Sequence, residues 1–129
     1  MQDNLDISKI KTIGDLKKSG YKVLSVKDEL RKNLICKLKT KDVLFEDIVG
    51  YDDTVIPAIQ NSILAKHDIL LLGLRGQAKT KIARMLPMLL DEYIPIIKGS
   101  EINDDPYHPI SKYSVDMVNE MGDETEIEW

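Results

Sequence analysis

The stretch Asp68-Ile-Leu-Leu-Leu-Gly-Leu-Arg-Gly-Gln-Ala-Lys-Thr80 reads as a short buried strand running into a phosphate-binding loop. Gly73, Lys79 and Thr80 fit the spacing GxxxxGK[ST], and Ala78 stands where the last glycine of that pattern usually is. In such loops consecutive backbone N–H groups turn inward around phosphate oxygens. The lysine ammonium reaches the β- and γ-phosphates, and the next hydroxyl binds magnesium. Alanine before the lysine adds one methyl group, which a near-helical backbone opening the next helix would tolerate. Ile69 to Leu72 is an unbroken apolar run, as expected of a strand covered on both faces, and Thr80 to Leu90 predicts a helix that begins at the phosphates. Strand, loop and helix in this order predict an α/β fold with a parallel sheet. The structural alternative is an ordinary strand-to-helix turn that happens to contain Gly, Lys and Thr.

Working outward, 129 residues with 43% hydrophobic and 31% charged content suit about one soluble globular domain. No apolar run approaches the ~20 residues needed to cross a bilayer. The N-terminus, Met-Gln-Asp-Asn-Leu-Asp, lacks the basic and apolar regions of a signal peptide, so a cytoplasmic location is expected. The single cysteine, Cys36, lies among Leu34, Ile35 and Leu38 and reads as a packed thiol, and no internal disulfide can form. His67 and His108 have no cysteine or second histidine at ligand spacing. No metal beyond nucleotide-bound magnesium is expected. Residues 1–100 carry 17 basic and 13 acidic side chains, whereas 101–129 carry 1 and 9. The basic stretch between Lys11 and Lys41 has no interleaved aromatic platform and reads as a solvated face rather than a nucleic-acid surface.

Thr12 to Lys18 predicts a short helix closed by Ser19-Gly20, after a polar and frayed segment 1–10. Ser25 with Asp28 three residues on resembles a capping box, and Val26, Leu30, Leu34 and Leu38 form an apolar stripe along the helix that follows. Lys39 to Asp42 reads as a linker, and a further helix is expected from about Asp52 to Lys66, with Pro57 about one turn in. Pro87 should kink or end the helix after the phosphate loop. Tyr93 to Ile97 predicts a second strand, Gly99 to Pro109 a loop, and 110–121 a last helix stopped by Gly122. The acidic end, 123–129, shows no stop signal, and its terminal Trp129 suggests a chain cut from something longer.

Phe45-x-x-Ile48-Val49-Gly50, followed by a helix, an apolar run and the phosphate loop, resembles the start of an AAA+ ATPase domain over residues 43–110. Within that superfamily the GxxGxAKT form of Gly73 to Thr80 is similar to the MoxR and magnesium-chelatase branch. Asn103-Asp-Asp-Pro-Tyr-His-Pro109 is similar to a shorter stretch of chelatase ATPase subunits. Tyr51 replaces the glutamine common after Gly50, and Arg75 a proline or small residue. The resemblance implies an incomplete P-loop NTPase parallel sheet, with residues 1–42 an N-terminal helical segment and 43–129 a nucleotide-binding domain truncated before its Walker B strand. It implies ATP and Mg2+ as cofactors, with Ile48, Val49 and Gly50 against the adenine. Gly73, Leu74, Arg75, Gly76, Gln77, Ala78, Lys79, Thr80 and Lys81 would hold the phosphates, with Lys79 catalytic and Thr80 on the metal.

It further implies a homo-oligomeric ring, a hexamer, in the full-length protein, and remodelling of a metal-insertion complex or of a partner carrying a von Willebrand A domain. Hydrolysis would need an acidic pair on a later strand, a sensor and an arginine from a neighbouring subunit. Asp91-Glu92, Asp104-Asp105 and Asp123-Glu124 do not follow an apolar strand of the required kind, so this chain by itself is expected to be inactive. An alternative from another class is a nucleotide-binding adaptor that assembles or switches without hydrolysis. A small P-loop kinase is a third reading, against which the acidic segment after Glu101 argues, since a basic lid would be needed. DNA binding by the basic N-terminal helices is a fourth.

Overall fold

Thr12 and Ser25 each start a helix in the same way. The Thr12 hydroxyl accepts from the Asp15 N–H and opens α1 (Ile13–Lys18), and the Ser25 hydroxyl accepts from the Asp28 N–H and opens α2 (Val26–Thr40). In this computed structural model, which describes residues 5–129, three more helices follow: α3 (Val55–Leu64), α4 (Lys79–Met85) and α5 (Lys112–Met121). Short 3-10 turns cover Ile7–Lys9, Leu86–Leu89 and Gly122–Glu124, and two two-residue strands, β1 (Ile96–Ile97) and β2 (Ile127–Glu128), pair antiparallel. The part of the frayed segment that falls on 1–4 lies outside the described residues; Ile10, at its far end, is buried. Among the described residues no helix is long and apolar enough to cross a membrane.

The chain folds as two compact units. The first spans residues 24–91, and the second joins 5–23 to 92–129. In the first, Leu34 of α2 and Ile56, Ile59 and Ile63 of α3 meet Phe45, Ile48, Ile82 and Leu89 in one core. The half-buried Leu30 joins Leu34 on the inward face of α2, while Val26 and Leu38, the two ends of the expected stripe, are exposed. Arg31 Nε donates to the Leu64 carbonyl at 2.9 Å, and Lys66 pairs with Asp28, so α2 is also tied to the end of α3 through polar groups. Asn33 is buried one residue before Leu34. Its amide donates to the Leu89 carbonyl at 2.7 Å and to the Asp91 carboxylate at 3.1 Å, which satisfies a polar group that burial would otherwise penalise.

In the second unit Ile10, Ile13, Leu16 and Ile127 form the core, with Tyr21, Tyr107, Val118 and Trp129 packed against it. The β1–β2 pair aligns Ile96 with Glu128 and Ile97 with Ile127. Ile127 N–H donates to the Lys11 carbonyl and Ile13 N–H to the Thr125 carbonyl, so the run before α1 pairs with the same segment. Trp129 lies edge-on to Tyr21 with ring centroids 5.8 Å apart, and its indole N–H donates to the Ile10 carbonyl.

The expected α/β fold, an incomplete P-loop NTPase (AAA+) parallel sheet behind an N-terminal helical segment, is not what forms. The described chain is mostly helical, and its sheet is one antiparallel pair of short strands. Residues 69–72 belong to no strand. Leu70 and Leu72 are 80% and 82% exposed, while Ile69 and Leu71 are half-buried against the first core. The segment therefore uses one face, where a strand inside a parallel sheet uses both. Other expectations shift by a few residues, and the second strand, expected over Tyr93 to Ile97, is reduced to Ile96–Ile97. α3 starts at Val55 rather than Asp52, because the Thr54 and Ile56 N–H groups both turn back to the Tyr51 carbonyl. The helix after the loop stops at Met85 and continues as a 3-10 turn containing Pro87, whose missing N–H cannot extend the α-helical ladder.

Candidate functional site

Residues 73–78 form a tight loop between the extended segment and α4, whose first two residues are Lys79 and Thr80. Gly76 and Ala78 take left-handed conformations, with φ of 80° and 57°. Ala78 is thus not near-helical, as the tolerance of its methyl group had required, and it holds a conformation that costs a non-glycine residue about 1–2 kcal/mol. α4 begins at Lys79, and its first intrahelical bond runs from the Ile82 N–H to the Ala78 carbonyl. The N–H groups of Lys79, Thr80 and Lys81 precede that bond and have no partner within the helix.

The Lys79 side chain is half-buried. It folds over the loop and donates to the carbonyls of Gly73 at 2.6 Å and Leu74 at 2.5 Å. The Gln77 side chain folds back in the same direction, and its Oε1 accepts from the Leu74 N–H at 2.9 Å. A Cβ on Gly73 would collide with that oxygen and lie 3.7 Å from the lysine nitrogen, so both groups crowd the side of the loop that glycine leaves open. Thr80 is exposed, as are Leu74, Arg75 and Lys81. From residue 69 to 90 the chain carries Arg75, Lys79, Lys81 and Arg84 and no acidic side chain, while Glu46 and Asp47 lie on the segment that Lys81 holds against it.

Two polar tethers bring the segment 45–51 against this loop. Tyr51 Oη donates to the Gln77 carbonyl at 3.3 Å, and Lys81 Nζ donates to the Asp47 carbonyl at 2.8 Å. The structure therefore brings together the two parts of the chain that the sequence pattern had paired. Their side chains are disposed unequally: Ile48 is only 5% exposed and belongs to the core, Val49 is 89% exposed, and Gly50 has a positive φ of 89°. Beside this segment a cavity of about 300 Å³ opens, lined by Lys37, Val43, Phe45, Asp47, Met85 and Met88. Gln77 and Tyr51 are the residues whose part in the site the sequence pattern did not disclose. Tyr51 stood out only as a substitution for glutamine, and nothing local marks Gln77, because its contact depends on how the loop closes.

The stretch Asn103 to Pro109 lies in the second unit and is organised around a buried carboxylate. Asp104 accepts from the Ile110 N–H at 2.8 Å, the Ser111 N–H at 3.2 Å, the Ser111 hydroxyl, and the Ser100 hydroxyl at 2.9 Å. Burial pushes its pKa up, but the Ser111 and Ile110 hydrogen bonds outweigh burial and hold it well below the ordinary value of 3.8. Ser111 is also the N-cap of α5, so Asp104 fixes the turn that launches that helix. His108 Nδ1 lies 3.4 Å from the Asp105 carboxylate. Among the described residues no cluster of three or more His, Cys, Asp or Glu side chains is placed to hold a metal ion.

No protein-family model, curated protein or solved structure matches this chain.

Proposed function

We propose that the first unit binds the phosphates of a nucleoside triphosphate, as its magnesium complex, in the loop Gly73 to Thr80. The supporting observation is the position of Lys79, whose ammonium lies over the loop against the Gly73 and Leu74 carbonyls. There it would meet phosphate oxygens, with the backbone N–H groups of the loop as further donors. Thr80 offers one hydroxyl oxygen to magnesium. That is compatible with an ion that keeps several waters and takes its remaining ligands from phosphate. The tethers from Tyr51 and Lys81 favour the 45–51 segment as the neighbour of the base. Since Ile48 is committed to the core, contact there falls to Val49 and the backbone at Gly50.

This reading keeps the loop chemistry of the MoxR-like and chelatase-like ATPases and leaves aside their parallel sheet. Turnover coupled to the remodelling of a partner extends the proposal only to a protein that adds the acidic pair, sensor and arginine that hydrolysis needs, so no phosphate release is expected from this chain alone. The test is calorimetric titration of Mg-ATP into the protein and into Lys79→Ala. A charged contact of this kind is worth about 1.5–3 kcal/mol, so the variant is expected to bind roughly ten- to a hundred-fold more weakly. Equal affinity of the two proteins, or no binding by either, overturns the proposal.

A further inference from the structure

The Leu74 N–H is one of the loop donors that an anion bound here would be expected to meet, yet it already has an acceptor. That acceptor is Gln77 Oε1, 2.9 Å away. The same oxygen occupies the space over Gly73, and the Lys79 ammonium beside it is bound to two main-chain carbonyls. Donor and cation are thus both satisfied from within the loop. The main chain of Gln77 is itself anchored by the Tyr51 hydroxyl, which fixes the point from which the side chain folds back.

We infer that the Gln77 side chain is a latch: its carboxamide oxygen stands in for a phosphate oxygen, and a polyphosphate enters by displacing it from the Leu74 N–H. This rests on the reading of the loop as a phosphate site. The displacement is favourable because a neutral amide oxygen yields to a charged one, which makes hydrogen bonds about twice as strong. No new contact is needed elsewhere, since the Gln77 side chain is exposed and can swing into water. Gly73 becomes a requirement of the latch as well as of the turn, because any Cβ there would expel Gln77 Oε1.

The latch competes with the ligand, so removing it should tighten binding. Gln77→Ala and the length-preserving Gln77→Met both lose the acceptor, and each is expected to bind magnesium tripolyphosphate and Mg-ATP about two- to ten-fold more tightly, the equivalent of one neutral hydrogen bond. In the ligand-free protein the Leu74 amide should exchange with solvent faster in both variants than in the parent, which reads the contact itself. Unchanged or weakened affinity in both variants, with Lys79→Ala still impaired, overturns the latch and leaves the phosphate site standing. Unchanged exchange at Leu74 also overturns it. Absence of tripolyphosphate and ATP binding from the parent and the Gln77 variants alike overturns the site and the latch together.

Discussion

Ala78 and Asp104 show how single residues carry conformational cost and its compensation. Ala78 holds φ at 57°, a conformation that glycine adopts without a Cβ penalty. Ala78→Gly should relieve about 1–2 kcal/mol of native strain and return part of it through the greater freedom of the unfolded chain. A net gain of at most about 1 kcal/mol is expected from urea denaturation, and a loss would show that the methyl group packs favourably. Asp104 works in the opposite direction, because its hydrogen bonds favour the ionised form. Its folded pKa lies below 3.8, so its contribution to stability is complete above the ordinary carboxylate range and is lost as pH falls below about 4. Acid titration of thermal stability should show a limb in that window that is shallower in Asp104→Asn, and the variant should also melt lower at pH 7. The sequence marked 103–109 as a loop but gave no sign of this carboxylate, since its donors come from Ser100, Ile110 and Ser111.

At the scale of the element, the helix starts that carry their own chemistry were the most legible parts. Ser25 and Asp28 form the expected cap, with the Ser25 hydroxyl also donating to the Asp28 carboxylate at 2.7 Å. Ser25→Ala should therefore lower stability by about 1 kcal/mol, measured by denaturant midpoint and accompanied by fraying of the first turn of α2 in amide exchange. Pro87 after α4 and Gly122 after α5 likewise act through backbone geometry within a turn of their own position. The segment 69–72 is the contrary case. Four consecutive apolar residues fit a buried strand, but a strand is made by the neighbour that accepts its hydrogen bonds, and here that neighbour is missing among the described residues. What forms is an extended stretch with one face on the core.

For the molecule as a whole, two hydrophobic clusters divide the work. Leu34 anchors the first, and Leu16 the second; both are fully buried. Truncating Leu16 to alanine should cost about 2–5 kcal/mol. The loss should appear in the fluorescence of Trp129, the chain's single tryptophan, because that ring packs on the same cluster. The second cluster draws on residues from both ends of the sequence, which no local pattern reports. What the sequence by itself determined was local: the close of α1 at Ser19-Gly20, the cap of α2, the stop at Gly122 and the break at Pro87. All of these depend on bonds and dihedrals within a few residues. Only the tertiary structure decided that β1 pairs antiparallel with β2 and that Ile48 turns into the core while Val49 faces water. It alone joined Tyr51 and Gln77 at the loop, because each of those outcomes depends on contact between segments far apart in the chain, where the competition among alternative partners is settled by packing and hydrogen bonding together.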